Sequence, residues 1–222
     1  MSVYVKDVIW EIQRLLKDDT YTANILLNLI NQGMKNISNA TLPNGLEVYL
    51  PELETDGTVT TSTSLWYGTM PTDYQKKIVS CYSDTQSEYV KVEPSYAMLT
   101  AQYFDGLIDT GNVRRVARRG SRLYYNPQPS SADTLTLHYW KNPTELALED
   151  EITELPDGFI VPLLKAYCLR EMFTEIEIQS RQPIEKSILW DKVYIAKLHE
   201  MMEMLGPYAF EPAEIRDRYG ML

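Results

Sequence analysis

The strongest constraint on the fold is a change of hydrophobic periodicity that occurs twice along the chain. Near both ends, apolar residues recur at three- and four-residue spacing, whereas the middle of the chain alternates or follows turn signals. The stretch from Pro94 to Pro156 shows this most clearly, because short aromatic strands are separated by glycine and proline turns. We therefore predict an α+β protein in which a β-rich module is inserted between helical segments.

Two amphipathic helices are predicted at each end of the chain. At the amino end, Val3 to Lys17 is followed by a helix that carries apolar residues from Ile25 to Ile37. At the other end, a long helix follows the corner Leu155–Gly158, and Pro183 opens a last helix that Gly206 ends. Each pair alone leaves apolar residues uncovered, so the two pairs are expected to pack together as a helical bundle.

The inserted module is predicted to be antiparallel. Turn signals occur at Pro43–Gly45 and Asp56–Gly57, and a short helix is expected from Ser95 to Phe104. The predicted strands are Leu46–Leu50, a Thr/Ser-rich run ending at Leu65–Tyr67, Gln75–Tyr82, Glu88–Glu93, Val113–Arg118, Arg122–Asn126 and Thr134–Trp140. Alternation in the last strand places Leu135, Leu137 and Tyr139 on a core face, and Thr136, His138 and Trp140 on a candidate contact face.

The chain is thus predicted to have four parts. These are a helical hairpin over residues 1–41, the β-rich module over 42–151, two long helices over 152–206, and an extended C-terminal tail over 207–222. The tail is too short to bury its own large apolar side chains, which are Phe210, Ile215, Tyr219, Met221 and Leu222. We predict that these side chains dock on a neighbouring protein.

Composition argues against a dedicated nucleic-acid binder. The net charge is −10, whereas such proteins need a basic surface. The chain has 16 tyrosines against 4 phenylalanines, and tyrosine suits half-wet contact surfaces between subunits as well as ordinary strands. The sequence shows neither a signal region nor a membrane span, so we expect a cytosol-like compartment and no membrane partner.

No pattern typical of an active site is recognisable. His138 and His199 lack further ligands, and Cys81 and Cys168 are expected to be buried apolar side chains. The acidic run Glu149–Glu151 could hold a hard metal ion, but a solvated loop is favoured because alternating ligand spacing and a tight glycine turn are missing. We predict that the chain is not an enzyme and has no catalytic residue, no cofactor and no metal.

The positive charge is concentrated in one predicted hairpin, which carries Arg114, Arg115, Arg118, Arg119 and Arg122. Strand alternation separates Arg115 from Arg114 and Arg118, so the five cannot share one face. The hairpin could contact DNA phosphates in a channel, or it could pair with carboxylates of the same or a neighbouring subunit. Ion pairing is favoured because the chain as a whole is acidic.

Several short motifs follow one another in an order known from a protein family. They are P-S-Y at Pro94–Tyr96, L-Y-Y-N-P-Q-P at Leu123–Pro129, L-T-L-H-Y-W-K-N-P at Leu135–Pro143, L-P at Leu155–Pro156, and A-Y-C-L-R-E at Ala166–Glu171. With the flanking helices, this order resembles the head-to-tail adaptor (connector, or tail accessory) proteins of tailed double-stranded-DNA bacteriophages. The resemblance covers roughly residues 1–205.

The resemblance implies a structural virion protein at the head–tail junction, synthesised in the cytoplasm of a bacterial host. It implies a ring of about twelve copies below the portal protein, with the helical bundle as the ring body. The tail would clasp the portal or adjacent copies, and the β-rich module would face outward or meet a tail nozzle, tube or fibre protein. Double-stranded DNA would pass through the ring without sequence-specific binding.

Two other functions are compatible with the sequence. One is another tail component, a terminator or baseplate protein, whose β-rich module binds a receptor or a glycan. In that case Trp66 and Trp140 would be exposed aromatic contact residues that stack on sugars. The other is a hydrolase with a cryptic carboxylate site, which only the acidic loop with Glu149 and Asp150 supports.

Overall fold

A computed structural model describes residues 2–16, 20–42, 45, 47–101 and 110–206 of the chain. Their contacts separate two compact units. The helical unit comprises residues 2–53 and 143–206, and the sheet unit comprises residues 54–142. The predicted α+β class is confirmed, with helices at both ends of the chain and strands between them. The four-part division at residues 41, 151 and 206 stays a prediction.

The elements follow the periodicity of the sequence closely. The helices are α1 (Val5–Leu16), α2 (Ala23–Ser38), α3 (Tyr96–Thr100), α4 (Asp157–Ser180) and α5 (Lys186–Leu205). The strands are β1 (Glu54–Thr60), β2 (Tyr67–Thr69), β3 (Tyr74–Ser83), β4 (Glu88–Val92), β5 (Thr110–Gly111), β6 (Arg115–Arg119), β7 (Arg122–Asn126), β8 (Gln128–Pro129) and β9 (Thr134–Lys141). All five predicted helices are present, and five of the predicted strands are confirmed as β3, β4, β6, β7 and β9.

Helix α4 is the centre of the helical unit, because it packs against α1, α2 and α5. It therefore has buried residues on several sides between Ile160 and Met172. Gly33 allows α2 to approach α4 closely, since a Cβ atom there would lie 3.0 Å from Cδ1 of Tyr167 and 3.2 Å from Cδ2 of Leu164. The four helices thus cover the apolar sides that neither pair could bury alone.

A buried carboxylate fixes the turn between α4 and α5. Glu177, only 4 % exposed, accepts hydrogen bonds from the backbone N–H of Lys186 at 2.7 Å and from the hydroxyl of Ser187 at 2.6 Å. The bond from Ser187 is the main reason why the pKa of the Glu177 carboxyl is lowered. The first N–H groups of a helix have no intrahelical acceptor, so Glu177 acts as a cap for α5 from the preceding helix.

Seven strands form one curled sheet in the order β1-β9-β3-β4-β6-β7-β2, and β5 and β8 form a separate pair. Neighbours in the large sheet are antiparallel except β4 and β6, which are parallel. The sheet is therefore mixed and not wholly antiparallel as predicted. A parallel pair needs a crossover connection, and residues 93–114, which include α3, provide it.

The sheet curls until its two edge strands approach each other. A Cβ atom on Gly68 of β2 would lie only 2.4 Å from Cγ1 of Val59 in β1. The apolar core of the sheet unit is formed mainly by Val59, Ile78, Cys81, Val90, Val116, Leu123, Tyr125, Leu135, Leu137 and Tyr139. Curling lets one sheet enclose this core, because strands far apart in the sheet order contribute to the same cluster.

Two predictions at the start of the module are wrong. Residues 47–50 form no strand apart from an isolated bridge between Glu47 and Thr41, and the adjacent residues Val48 and Tyr49 are both buried. Their apolar pattern therefore does not mark one face of a strand. The pair Asp56–Gly57 lies inside β1, where a Cβ atom on the glycine would be 2.8 Å from the hydroxyl oxygen of Tyr139. This glycine permits a close approach and does not form a turn.

Some predicted features fall outside the described residues. These are Pro43, Asn44 and Leu46 at the start of the module, Phe104 at the predicted end of α3, and the tail with Phe210, Ile215, Tyr219, Met221 and Leu222. The docking role of the tail therefore stays a prediction. None of the helices in the described part of the chain is both long enough and apolar enough to cross a bilayer.

Candidate functional site

The basic cluster of the sequence forms a hairpin in the sheet unit. Strands β6 and β7 pair antiparallel, and Arg119 lies directly opposite Arg122. Gly120 has φ of +62°, which glycine adopts without strain, so the connection can be tight. Nε of Arg118 donates a hydrogen bond of 2.9 Å to the carbonyl oxygen of Gly120. The hairpin predicted from these two strands is thus confirmed.

The arginines of the hairpin have different surroundings. Nη1 of Arg115 lies 3.6 Å from Oε1 of the buried Glu93. The guanidinium of Arg118 lies 4.6 Å from the centre of the Tyr74 ring, and Arg114 is exposed. Among the described residues, Arg115 alone of the five has a carboxylate within 4.0 Å. Pairing within the chain therefore accounts for Arg115 only, and contact of the hairpin with a neighbouring subunit or DNA stays a prediction.

The other two arginines lie at the ends of a row of tyrosines whose rings contact each other at an angle. In order the row is Arg119, Tyr96, Tyr124, Tyr67 and Arg122, with successive distances to or between ring centres of 4.9, 4.7, 5.4 and 4.0 Å. The three tyrosines are half-buried and both arginines are exposed. Each cation–π contact holds its guanidinium with about 0.5–1 kcal/mol. We call these five residues the aromatic–arginine surface.

Three elements bring the tyrosines together. Ser95 begins α3 by accepting a hydrogen bond of 3.3 Å on Oγ from the N–H of Met98, which places Tyr96 in the first turn. Strand β2 pairs with β7 so that Tyr67 lies opposite Tyr124. The sequence indicates the capping serine, but it contains no signal for the pairing of the short strand β2 with β7. Sequence reasoning therefore missed Tyr67 and Tyr96.

The aromatic–arginine surface has the chemistry to bind acidic groups. A guanidinium offers five N–H donors and no acceptor, and one that lies over a ring keeps its edge free for a carboxylate or a phosphate. Across the described residues, no carboxylate lies within 4.0 Å of Arg119 or Arg122. The same residues include no group of three or more His, Cys, Asp or Glu side chains placed to hold a metal ion.

The two tryptophans proposed as contact residues are not equally accessible. Trp140 is only 2 % exposed, so the prediction that it is an exposed contact residue is corrected. Its neighbour Tyr139 is 1 % exposed, which shows that both faces of β9 are covered at this end. Alternation predicts the side to which a residue points, but it does not predict whether that side is covered. Trp66 is half-buried.

His138 lies on the outer face of β9 between two carboxylates. Its Nδ1 is 2.8 Å from Oδ1 of Asp56, and its Nε2 is 3.4 Å from Oε2 of Glu54. Partial burial lowers the pKa of His138, but the hydrogen bonds with Asp56 and Glu54 outweigh it and raise the pKa above its usual value. His199, exposed on α5, lies 3.3 Å from Glu203. His138 is thus half-buried on the sheet, and His199 is exposed.

We expect the sheet unit to lose stability as the pH rises through the pKa of His138. Because that pKa is higher in the folded chain than its unfolded value of about 6.5, the stabilisation is complete below the unfolded pKa and disappears above the folded one. The urea midpoint for unfolding of the sheet unit should be measured between pH 5.5 and 8.5 for the wild type and for His138→Gln. The difference between the two midpoints should shrink with rising pH, and a constant difference would contradict the expectation.

The acidic run Glu149–Glu151 is exposed, and it is anchored at the start of α1. Oε2 of Glu149 lies 2.6 Å from Nζ of Lys6, and the carbonyl oxygen of Asp150 accepts a hydrogen bond of 3.0 Å from the N–H of Val5. The side chains of Glu149, Asp150 and Glu151 are all exposed. This acidic run is thus solvated, in agreement with the interpretation that its residue spacing favours.

Both cysteines are buried, as predicted. Cys81 belongs to the sheet unit and Cys168 to the helical unit, and each is 0 % exposed. Burial raises the pKa of each thiol to about 12. The thiolate, which is the reactive form, is therefore scarce at neutral pH, and each cysteine reports on the opening of its own unit.

One protein family is similar to this chain over nearly its whole length. The family described as SU10 adaptor protein matches residues 4–203, which include all the helices and strands that the structure describes except the last two residues of α5. No protein with curated annotation matches the chain. The family match therefore provides the comparison on which a function can be based.

Proposed function

Since the chain belongs to the SU10 adaptor protein family, we propose that it is the head-to-tail adaptor of a tailed phage and forms a ring below the portal protein. Family membership indicates a phage adaptor, a structural virion component with a non-enzymatic role. The observation that carries the proposal is the extent of the match, which spans both units. The likeness thus concerns the whole arrangement and not one common motif.

In the proposed ring, the helical unit forms the body of about twelve copies related by cyclic symmetry. Residues 207–222 clasp the portal or an adjacent copy through their large apolar side chains. The sheet unit faces outward or meets a tail nozzle, tube or fibre protein. Its aromatic–arginine surface supports a contact role, because tyrosine and arginine are enriched in protein interfaces.

The ring would also extend the channel through which double-stranded DNA leaves the head. The net charge of −10 supports this role, because an acidic wall repels phosphates and keeps the genome from adhering. Binding that depends on DNA sequence is not needed. The channel lining consists, in this proposal, of acidic side chains of the helical unit.

Mixing the purified protein with portal rings tests the proposal directly. Negative-stain images should show extra density on one face of each portal ring, with saturation at a fixed number of copies per ring. The purified protein alone is expected to be monomeric, because docking supplies the partner of the tail. Portal rings that stay bare at saturating protein concentration would contradict the adaptor assignment.

Deletion of residues 207–222 is expected to abolish portal binding without unfolding the helical and sheet units. The tail carries apolar side chains for docking, whereas the buried core residues among the described ones all precede it in the sequence. Portal binding should be measured by co-sedimentation, and folding by thermal unfolding of the same preparation. A variant with serine at Phe210, Ile215 and Tyr219 keeps the length of the tail but lacks three of its apolar side chains. It should therefore lose portal binding as well. Normal assembly of the deleted protein into virions would show that the tail does not clasp the portal.

The alternative is a terminator or baseplate protein with a glycan-binding sheet unit. That hypothesis requires Trp66 and Trp140 as exposed residues that stack on sugars, and Trp140 is buried. Saturable binding of the full chain to a glycan array, together with the absence of portal binding, would favour this alternative.

A further inference from the structure

Two like charges face each other at the end of the basic hairpin. Arg119 and Arg122 are directly opposite in the antiparallel register, so both side chains project from the same face of the sheet. Like charges at opposed positions of neighbouring strands destabilise the pair. Within the described part of the chain, no carboxylate lies near enough to neutralise either arginine. An acidic partner from outside the chain would remove this repulsion.

The tyrosine row prepares both guanidiniums for such a partner. Arg122 lies 4.0 Å above the centre of the Tyr67 ring, and Arg119 lies 4.9 Å from that of Tyr96. An arginine already held against a ring loses less conformational entropy on binding than a free one. The half-buried rings also supply apolar area between the two charges. The surface therefore resembles the arginine- and tyrosine-rich centre of a protein interface.

The charges of the chain are divided unevenly between its parts. Residues 54–142 contain nine basic and nine acidic side chains, whereas the rest of the sequence contains 12 basic and 22 acidic ones. The whole net charge of −10 thus lies outside the sheet unit. A basic surface on the sheet unit of one copy is complementary in charge to the helical unit of another copy.

The densest acidic segment of the helical unit lies between β9 and α4. Residues 143–156 contain five carboxylates and no basic side chain. Glu149 is paired with Lys6, but Glu145 and Glu151 are exposed and have no ion pair with any described residue. We call residues 145–151 the acidic loop. Its backbone is anchored by the bond from Val5 to Asp150, so the loop is presented in a fixed position.

Double-stranded DNA is a poorer match for this surface. A DNA-binding surface typically neutralises several phosphates at once, whereas the aromatic–arginine surface presents two guanidiniums, those of Arg119 and Arg122. Arg115 on the same strand is already shared with the buried Glu93. The tyrosine rings are half-buried and contact each other and the two guanidiniums, which leaves less of their faces available for bases.

We propose that the aromatic–arginine surface of one copy binds the acidic loop of a second copy of this chain. The contact joins two different surfaces, so repeating it generates a ring if the rotation closes. It rests on the proposed function in one respect, which is that copies of the chain assemble side by side. It goes further by assigning both surfaces of the contact and by restricting the hairpin's role to two of its five arginines.

Cross-linking between two single-cysteine additions tests the contact, even when the association is weak. One protein carries Ser121→Cys at the tip of the hairpin, and the other carries Ala147→Cys in the acidic loop; both positions are exposed. The native Cys81 and Cys168 are buried and do not compete for the reagent. A short bismaleimide should join the two variants in an equimolar mixture, and it should join far fewer copies when either variant is incubated alone.

Charge reversal then identifies the side chains involved. Introducing Arg119→Glu and Arg122→Glu into the Ser121→Cys protein should lower the heterodimer yield at least about tenfold. The matched control is Arg114→Glu, which makes the same type of charge change away from the tyrosine row and should stay within about twofold of wild type. Glu145→Lys and Glu151→Lys in the Ala147→Cys protein should lower the yield by themselves and should restore it with the reversed hairpin.

The outcomes separate this contact from the adaptor function. Absence of the heterodimer at high protein concentration, or an unchanged yield after reversal at Arg119 and Arg122, overturns the contact. If reversal leaves the yield unchanged but abolishes binding of a DNA duplex at low salt, the surface serves DNA and the contact is likewise overturned. If the protein decorates portal rings but gives no heterodimer, the adaptor function is retained and this contact is overturned. A heterodimer formed by a protein that leaves portal rings bare would support the contact and contradict the adaptor function.

Discussion

Replacing Trp140 with alanine is expected to destabilise the sheet unit by about 3–5 kcal/mol, the usual cost of truncating a large buried aromatic side chain. Trp140 is 2 % exposed and lies in β9, opposite Glu54 of β1 and Lys76 of β3. Its removal would leave a cavity beside the strand that joins the edge strand β1 to β3. An exposed contact residue would instead leave the free energy of unfolding nearly unchanged.

Cys81 provides the measurement, because it is buried in β3 next to β9. Its labelling by a thiol reagent at neutral pH should become about a hundredfold faster or more in Trp140→Ala, since each 1.4 kcal/mol changes the open population tenfold. Trp10→Ala is the matched control, because Trp10 is 60 % exposed and contacts mainly Arg14 over its ring. The control should leave the labelling of Cys81 unchanged. An unchanged rate in Trp140→Ala would show that the side chain does not support the sheet unit.

The arrangement of helices and strands could be predicted because periodicity reflects burial. Three- and four-residue spacing in α1, α2 and α5, and alternation in β9, each follow from one apolar side that faces a core, whereas α4 is recognised by a longer apolar stretch that is buried on several sides. The same reasoning failed where a local signal had another cause. The pair Asp56–Gly57 predicts a turn, but Gly57 lies inside β1, where the glycine permits the close approach of the Tyr139 hydroxyl. Only the packed structure reveals such a contact.

The functional surface could be predicted only in part. The cluster of arginines is visible in the sequence, and alternation correctly indicated that they do not share one face. Which of them remain unpaired depends on contacts between distant segments, such as Arg115 with Glu93 and Arg122 with Tyr67. Tyr125 follows the arginines closely in the sequence, yet it is 0 % exposed and belongs to the core, while Tyr124 lies in the tyrosine row. Alternation places the two tyrosines on opposite faces of β7, but it does not show which of the two faces the core covers.

Because both cysteines are buried, thiol labelling can show in which unit a substitution acts. Cys81 reports on the sheet unit and Cys168 on the helical unit, so a substitution that acts locally changes the labelling of one thiol only. This matters for a chain with two compact units, because a single unfolding midpoint does not describe two units that open separately.

Gly68→Ala is expected to destabilise the sheet unit by about 3 kcal/mol, at the upper end of the usual cost of overpacking. The added Cβ atom would lie 2.4 Å from Cγ1 of Val59 and 3.1 Å from the carbonyl oxygen of Thr60, and a backbone atom cannot turn away as a side chain can. The substitution forces β1 and β2 apart, and it thereby opens the curled sheet at the place where its edges meet. Labelling of Cys81 should accelerate while that of Cys168 stays unchanged.

Gly158→Ala is the matched control, because a Cβ atom there meets nothing within 4 Å and lies in the first turn of α4, where alanine is favoured over glycine. Equal labelling rates of Cys81 in both variants would mean that the edge strands can separate without loss of stability. The burial of Val59 and Tyr125 beside Gly68 argues against such a result.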